Sequence, residues 1–283
     1  MSGAEKQSAA QTGTLYIIAT PIGNLGDITY RAVDTLRNVD VIACEDTRVS
    51  GKLLQHYGIP TPTVSYNDHN APARRPELLA RLERGEQIAL ISDAGTPLIS
   101  DPGYKLVGTV REAGYNVLAL PGASSVLTAL CIAGLPTDQF TFAGFLPSKD
   151  KARRDAIAEL AALTGTLVLL ESPRRLKDSL PALAEGLGNR QAAIARELTK
   201  LHEECHTDSL IALAEHYREA PAPKGEVVLV IGPPAAKAFG AEEIDALLQS
   251  ALQTHTVKDA SALVAKQTGV ARKTLYARAQ ELK

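Results

Sequence analysis

Residues 87–97 read Gln87-Ile88-Ala89-Leu90-Ile91-Ser92-Asp93-Ala94-Gly95-Thr96-Pro97. A short, almost unbroken apolar run is followed directly by a loop rich in Gly and Pro. A run of this length without alternation reads as a strand, 87–92, buried on both faces. Upstream, ELLARLERG (77–85) has helical spacing and stops at Gly85, a residue suited to a helix C-terminus. Downstream come a helix near Tyr104–Ala113 and a strand at 116–120, NVLAL. The same alternation extends back to the start: strand 14–20 (TLYIIAT), helix Thr29–Arg37, strand 41–44 (VIAC), helix Val49–Tyr57. Strands alternating with helices predict an α/β fold with a parallel sheet covered on both faces.

A second series starts after Pro121: strands at 140–144, 166–171, 191–197 and 225–232, with helices at Lys151–Leu163, Leu176–Gly186 and Asp208–Arg218. Gly232-Pro233-Pro234 then breaks the pattern. With the first boundary near 121–137, the expected division is an α/β domain at 13–121, a second α/β domain at 122–236, and a helical domain at 237–283. In the last, Thr256 and Asp259 form a candidate capping box, and Gly269 separates two helices, the second rich in Lys and Arg. That is a helix-turn-helix pattern.

The 283-residue chain has a net charge of −2. Residues 255–283 carry six Lys/Arg against two Asp/Glu, which leaves 24 against 30 elsewhere. A basic tail on an acidic body fits an added nucleic-acid contact. There is no Trp and only four Phe, so the cores must be aliphatic. No apolar run reaches the ~18 residues of a membrane helix. The opening MSGAEKQSAAQT is small and polar, without a signal-peptide stretch, and reads as a disordered lead-in. Three scattered cysteines, Cys44, Cys131 and Cys205, fit a reducing cytoplasm.

Neither the dinucleotide-binding G-x-G-x-x-G nor a complete phosphate-binding P-loop is present. His202-Glu203-Glu204-Cys205-His206 matches H-E-x-x-H, but it falls between a predicted strand and a helix starting near Asp208, with no third ligand in view. It reads as a loop carrying two histidines, and no metal is expected. More telling are three loops that each follow a strand: Ala19–Asn24, Ser92–Pro97 and Leu120–Ser125. In an open α/β sheet ligands bind beyond the strands' carboxyl ends, and glycines there allow close approach.

ATPIGNLGD, CEDTR, SDAGTPLISDPG, LPGASSVLTAL, ESPRR and RELTKLHEE, in this order, resemble the tetrapyrrole methylase superfamily and, within it, the bacterial small-subunit rRNA (cytidine-2′-O)-methyltransferases. The resemblance covers about residues 13–236, and the tail is similar to that group's helical domain. It implies S-adenosylmethionine held between two α/β domains, a homodimer, a cytoplasmic location, and a cytidine of 16S rRNA in the decoding centre of the small ribosomal subunit as substrate. The superfamily's G-D-P-x-x loop corresponds to Ser92–Thr96, with departures at Ser92 and Ala94. The implied cofactor residues are Pro21, Asp93, Gly95, Thr96, Ser124, Ser125, Leu170 and Gly225. Arg48, Lys200, Asp46 and His69 are the catalytic candidates, with Glu45, Asn70, Arg174 and Arg196 also on the substrate side. Arg and Lys suit phosphate. The proton acceptor stays open among Asp46, His69 and a lysine of lowered pKa. A tetrapyrrole-methylating enzyme and a non-catalytic nucleic-acid-binding module are the alternatives.

Overall fold

The computed structural model describes residues 13–220, 225–235 and 239–283. The expected lead-in at 1–12 and the expected boundary at 236 lie outside them. The chain forms two compact units, Met1–Pro233 and Pro234–Lys283.

The first unit contains two five-stranded sheets. One is built from β1 (Thr14–Ile18), β2 (Val41–Cys44), β3 (Thr63–Ser65), β4 (Gln87–Ile91) and β5 (Asn116–Leu120), in the order β3-β2-β4-β1-β5, with every pairing parallel. Helices α1 (Tyr30–Asn38) and α2 (Thr47–His56) cover one face, packing Leu36 and Leu54 with Ile18, Ile42 and Ile91. Helices α3 (Ala71–Glu83) and α4 (Tyr104–Glu112) cover the other, packing Leu82 and Leu106 with Leu15, Val41 and Leu90. This is why β4 is apolar throughout: alternate residues feed different cores. The chain leaves β2 toward β3 but leaves β4 toward β5. The connections that leave the paired neighbours β2 and β4 therefore diverge beyond the strands' carboxyl ends and open a crevice there, the usual ligand position in such sheets.

The second sheet has the order β6-β7-β10-β8-β9, from β6 (Phe140–Phe145), β7 (Thr166–Glu171), β8 (Gln191–Arg196), β9 (Glu204–Ser209) and β10 (Val227–Ile231). Only β6–β7 is parallel. Beneath one face lie α6 (Asp150–Ala161), α7 (Leu176–Leu187) and α8 (Leu210–Glu219). Against the other pack α5 (Ser125–Ile132) and Ile22, a residue of the first loop.

Several elements differ from expectation. Helix α3 starts six residues earlier than the predicted 77, with a proline in its first turn, where a missing N–H is harmless. Helix α8 is capped by Ser209, which accepts from Ala212 N–H, and Asp208 belongs to β9. His206 therefore lies on an edge strand and His202 in the turn before it, so the two histidines do not share a helix face.

The second unit comprises α9 (Ala241–Leu252), α10 (Val257–Thr268) and α11 (Arg272–Glu281) around Leu248, Val264, Leu275 and Ala279. Gly269 takes the left-handed conformation between α10 and α11 (φ 72°). Thr256 Oγ1 accepts from Asp259 N–H and donates to Asp259 Oδ2, so the box closes through side chains and not through the cap's own N–H. No helix among the described residues is long and apolar enough to cross a membrane.

Candidate active site: two cavities that meet at one aspartate

Backbone and hydroxyl hydrogen bonds stitch the three Gly/Pro loops together. Thr20 and Gly95 exchange N–H···O bonds of 2.9 Å, a two-residue antiparallel bridge. The Thr20 hydroxyl donates to Ser92 O at 3.0 Å, and the Thr96 hydroxyl to Ala123 O at 3.1 Å. Gly95 sits at φ +77°, and a Cβ there would stand 3.3 Å from Ile22 Cγ2. At Gly122 a Cβ would stand 2.8 Å from the Cβ of Ala19. Ser124 caps α5 by accepting from Leu127 N–H. Glycine is thus required where one loop lies on the next.

Beyond these loops is a cavity of about 430 Å³, within the usual range for a small-molecule site. Its wall draws on both sheets: Asp93 and Asp101 after β4, Ser125 at the start of α5, Leu170 and Glu171 at the end of β7, and Gly225 to Val228 leading into β10. Of the cofactor candidates, Asp93, Ser125, Leu170 and Gly225 line it. Pro21, Gly95, Thr96 and Ser124 belong instead to the loop framework. Phe145, Glu171, Glu226 and Asp101 were not singled out from sequence. Asp101 and Glu171 lie in SDAGTPLISDPG and ESPRR, and Glu226 follows Gly225, so their neighbourhoods were marked though the residues were not.

The wall carries four carboxylates, Asp93, Asp101, Glu171 and Glu226, and no Lys or Arg among the described residues. Glu171 is buried and well satisfied, accepting from Ser179 Oγ at 2.5 Å and Ser172 N–H at 2.7 Å. Asp101 is less so: burial first, then Asp93 and Glu226, push its carboxyl above the ordinary range, against a lowering hydrogen bond from Ser92. Two non-glycine residues of this loop, Leu98 (φ 75°) and Ser100 (φ 64°), are held in the left-handed region. Such strain amounts to something on the order of 1–3 kcal/mol per residue and concentrates at ligand sites.

A second cavity, about 420 Å³, opens at the β2/β4 crevice. It brings together Glu45, Asp46, Arg48, Ser65, Asn67, His69 and Asp93. Three of the four catalytic candidates thus share one cavity, and Asp93 lines both. One Asp93 oxygen accepts from Asp46 N–H at 3.1 Å, fixing the two loops against each other. Asp46 caps α2 and is bidentate to Arg48 (2.6 and 3.1 Å). The Arg48 guanidinium holds its carboxyl down to about 2. Burial, then Asp93, Asp101, Asp68 and Asp46, push Glu45 the other way. Asn70 is structural, donating to Ser65 O and Oγ at 3.2 Å.

Lys200 lies apart from this cavity. It pairs with Glu197 at 2.8 Å, and its stem lies where a Cβ on Gly23 would go, 2.6–2.7 Å away. Glu197 lies against Gly225. Arg196 pairs with Glu204, and Arg174 is exposed in the turn after β7. The structure therefore does not gather Lys200, Arg174 and Arg196 with Arg48.

The family description "Tetrapyrrole (Corrin/Porphyrin) Methylases" matches residues 14–214, and "RsmI C-terminal HTH domain" matches 238–283. A "Ribosomal RNA small subunit methyltransferase I" of Mesorhizobium japonicum is 52% identical over 270 residues, covering 95% of this chain and 92% of that protein. Two crystal structures share the fold. Diphthine synthase has a TM-score of 0.61 and 13% identity, covering 78% of this chain and 90% of its own. Uroporphyrin-III C-methyl transferase from Thermus thermophilus, complexed with S-adenyl homocysteine, has 0.54 and 20%, covering 78% and 97%.

Proposed function

The chain belongs to the tetrapyrrole methylase family, and from that premise we propose that it transfers the methyl group of S-adenosylmethionine to the ribose 2′-hydroxyl of a cytidine in 16S rRNA, at the decoding centre of the small ribosomal subunit. It is a methyltransferase, and S-adenosylmethionine is its methyl donor. One observation carries the reading of its geometry: two cavities, one suited to the donor and one to a polynucleotide, share Asp93 in their walls.

The first cavity fits the donor. When bound, S-adenosylmethionine supplies an electrophilic methyl on a positively charged sulfur. The four carboxylates of the wall favour that charge, Glu171 being also paired with Arg175 Nε at 3.4 Å. Leu170, Phe145 and Val228 offer an apolar surface to the adenine, and Gly225, at φ +89°, leaves the space that the Glu197 side chain fills beside the wall. Asp93 and Ser125 are assigned to the polar part of the donor, and the Gly95–Thr96–Ser124 framework with Pro21 holds those groups in place. Arg48 at the mouth of the second cavity is assigned to a phosphate of the RNA, and His69 to the nucleotide. Alignment of hydroxyl and methyl across the shared wall supplies much of the rate, on the order of 7–11 kcal/mol in favourable systems.

The division into 13–121, 122–236 and 237–283 is part of the proposal. It is supported by β1–β5 preceding residue 121 and β6–β10 following it. The last segment is assigned to RNA docking. A homodimer is proposed on the exposed apolar groups Leu118, on edge strand β5, and Leu127 and Ile132, on α5. The site of action is assigned to the cytoplasm, with the ribosome.

The test is incubation with methyl-labelled S-adenosylmethionine and small ribosomal subunits lacking the modification. Label should appear in 16S rRNA as a 2′-O-methylated cytidine. Label in a tetrapyrrole offered in the same assay, and none in RNA, would select the alternative substrate.

A further inference from the structure

We propose that Glu45 is the proton acceptor for the attacking 2′-hydroxyl. The inference deepens the methyl-transfer reading and rests on it.

Three carboxylates line the second cavity: Glu45, Asp46 and Asp93. Asp46 is fully engaged, with both oxygens on the Arg48 guanidinium and one also on the helix N-terminus. Asp93 has one oxygen on Asp46 N–H. No hydrogen bond or ion pair among the described residues engages the Glu45 carboxylate. Its main chain, by contrast, is fixed. The residue follows directly on β2 at the β2/β4 crevice, and its carbonyl accepts from Ser65 Oγ at 3.3 Å. Ser65 is itself held by Asn67 and Asn70 at 3.2 Å. A rigid backbone thus carries a free carboxylate beside Asp93, the residue shared with the donor cavity.

The groups facing it are acidic for the most part: Asp46 with Arg48 at the start of α2, Asp68 with His69 after β3, and Asp93 with Asp101 after β4. Arg48 is bound through Nε and Nη2 to Asp46 and not to Glu45. Partial burial and these neighbours disfavour the charged form of Glu45, which makes it a better base than a solvated carboxylate once ionised. In the step, the hydroxyl oxygen bonds to the methyl carbon as the carbon–sulfur bond breaks, its electron pair passing to sulfur, which leaves neutral. The hydroxyl proton passes to a Glu45 oxygen and then to water.

The experiment compares the full chain with Glu45→Gln and His69→Gln, using labelled S-adenosylmethionine and small subunits. Calorimetry measures donor affinity, and infrared difference titration of the free protein measures the carboxyl. Glu45→Gln is expected to lower kcat about 10²- to 10³-fold, with donor and RNA affinities unchanged. The acidic limb of the wild-type kcat–pH profile, rising with pH as Glu45 ionises, should disappear in Glu45→Gln and persist in His69→Gln. The infrared spectrum should lose one carboxyl band, which in the wild type titrates above the ordinary glutamate range. The proposal is overturned if Glu45→Gln keeps kcat within about fivefold, if the limb persists in it or vanishes in His69→Gln, or if donor affinity falls along with the rate. A wild-type protein that binds the donor but labels no rRNA would instead overturn the reading beneath it.

Discussion

Gly95→Ala isolates the role of the loop framework. At φ +77° the left-handed conformation destabilises an L residue by roughly 1–2 kcal/mol. The new methyl would also stand 3.3 Å from Ile22 Cγ2, and Ile22 is buried against α5 and the second sheet, with little freedom to retreat. Relief by rotating the backbone would break the two hydrogen bonds with Thr20, each contributing about 0.5–1.5 kcal/mol. The protein either keeps the strain or shifts the loop that presents Asp93. If binding the donor requires the unshifted loop, the strain of about 1–2 kcal/mol enters the binding equilibrium. The dissociation constant then rises about 5- to 30-fold. Gly114→Ala is the control. It has φ +83°, nothing within 4 Å of an added Cβ, and no place in either cavity. Both variants should lose similar stability in urea titration, but only Gly95→Ala should bind S-adenosylmethionine more weakly by calorimetry. Equal donor affinity in both variants would refute the argument.

Arg48→Ala should reduce methyl transfer about 10- to 100-fold by removing a charged partner of the phosphate, leaving calorimetric donor affinity unchanged. Normal transfer would make Arg48 only the counter-ion of Asp46. Lys200→Met keeps the stem against Gly23 but removes the charge facing Glu197; as Lys200 lies with Ser125, Glu226 and Val228 beside the donor wall, it should change donor affinity and spare RNA binding, and unchanged donor affinity would reduce Lys200 to a structural pair. Truncation after residue 236 should leave donor binding intact, weaken RNA binding, and flatten its salt dependence by ~0.7–0.9 logarithmic units for each phosphate no longer neutralised. Equal salt slopes would assign the helical unit to stability instead. Arg278 lies in that unit but is bound to Asp245 through two nitrogens and to Glu281, so Arg278→Ala should loosen the unit without removing a free RNA-binding group. Arg278 holds the Asp245 carboxyl below its ordinary value, so this stabilisation is present above the unfolded pKa near 3.9 and lost as pH falls through the lower folded value. Hydrogen exchange of the unit in wild type and variant would detect that difference at neutral pH.

Strands such as β4 and β10 were legible because burial on both faces demands continuous apolar residues. β3 was not: it spans only Thr63–Ser65, and prolines precede it. Nor was β9, whose ECHTDS has no apolar alternation because it forms a mostly exposed edge. SVLTALCI (α5) has apolar residues all round and lies in the connection between the sheets, so its helical period was hidden. The antiparallel character of the second sheet follows from strand direction, which strand periodicity does not encode. The loop motifs contain Asp93 and Ser125, and the resemblance adds Leu170 and Gly225, four residues that line the first cavity; neither could separate wall from framework, since Gly95 and Thr96 occupy the same motif as Asp93. Lys200 was grouped with Arg48 by motif, whereas the fold sends it to Glu197. Glu45 stood beside Asp46 in CEDTR, and only the hydrogen bonds distinguish the engaged carboxylate from the free one.

The most direct test of the two-cavity account is a crystal structure with S-adenosylhomocysteine and a short RNA containing the target cytidine. The sulfur should lie in the cavity walled by Asp93, Leu170 and Gly225. The ribose should enter from the Glu45 and Arg48 side, its 2′-oxygen placed about 3–3.5 Å from the position of the transferred methyl. A cytidine bound elsewhere, or a donor outside the first cavity, would contradict it.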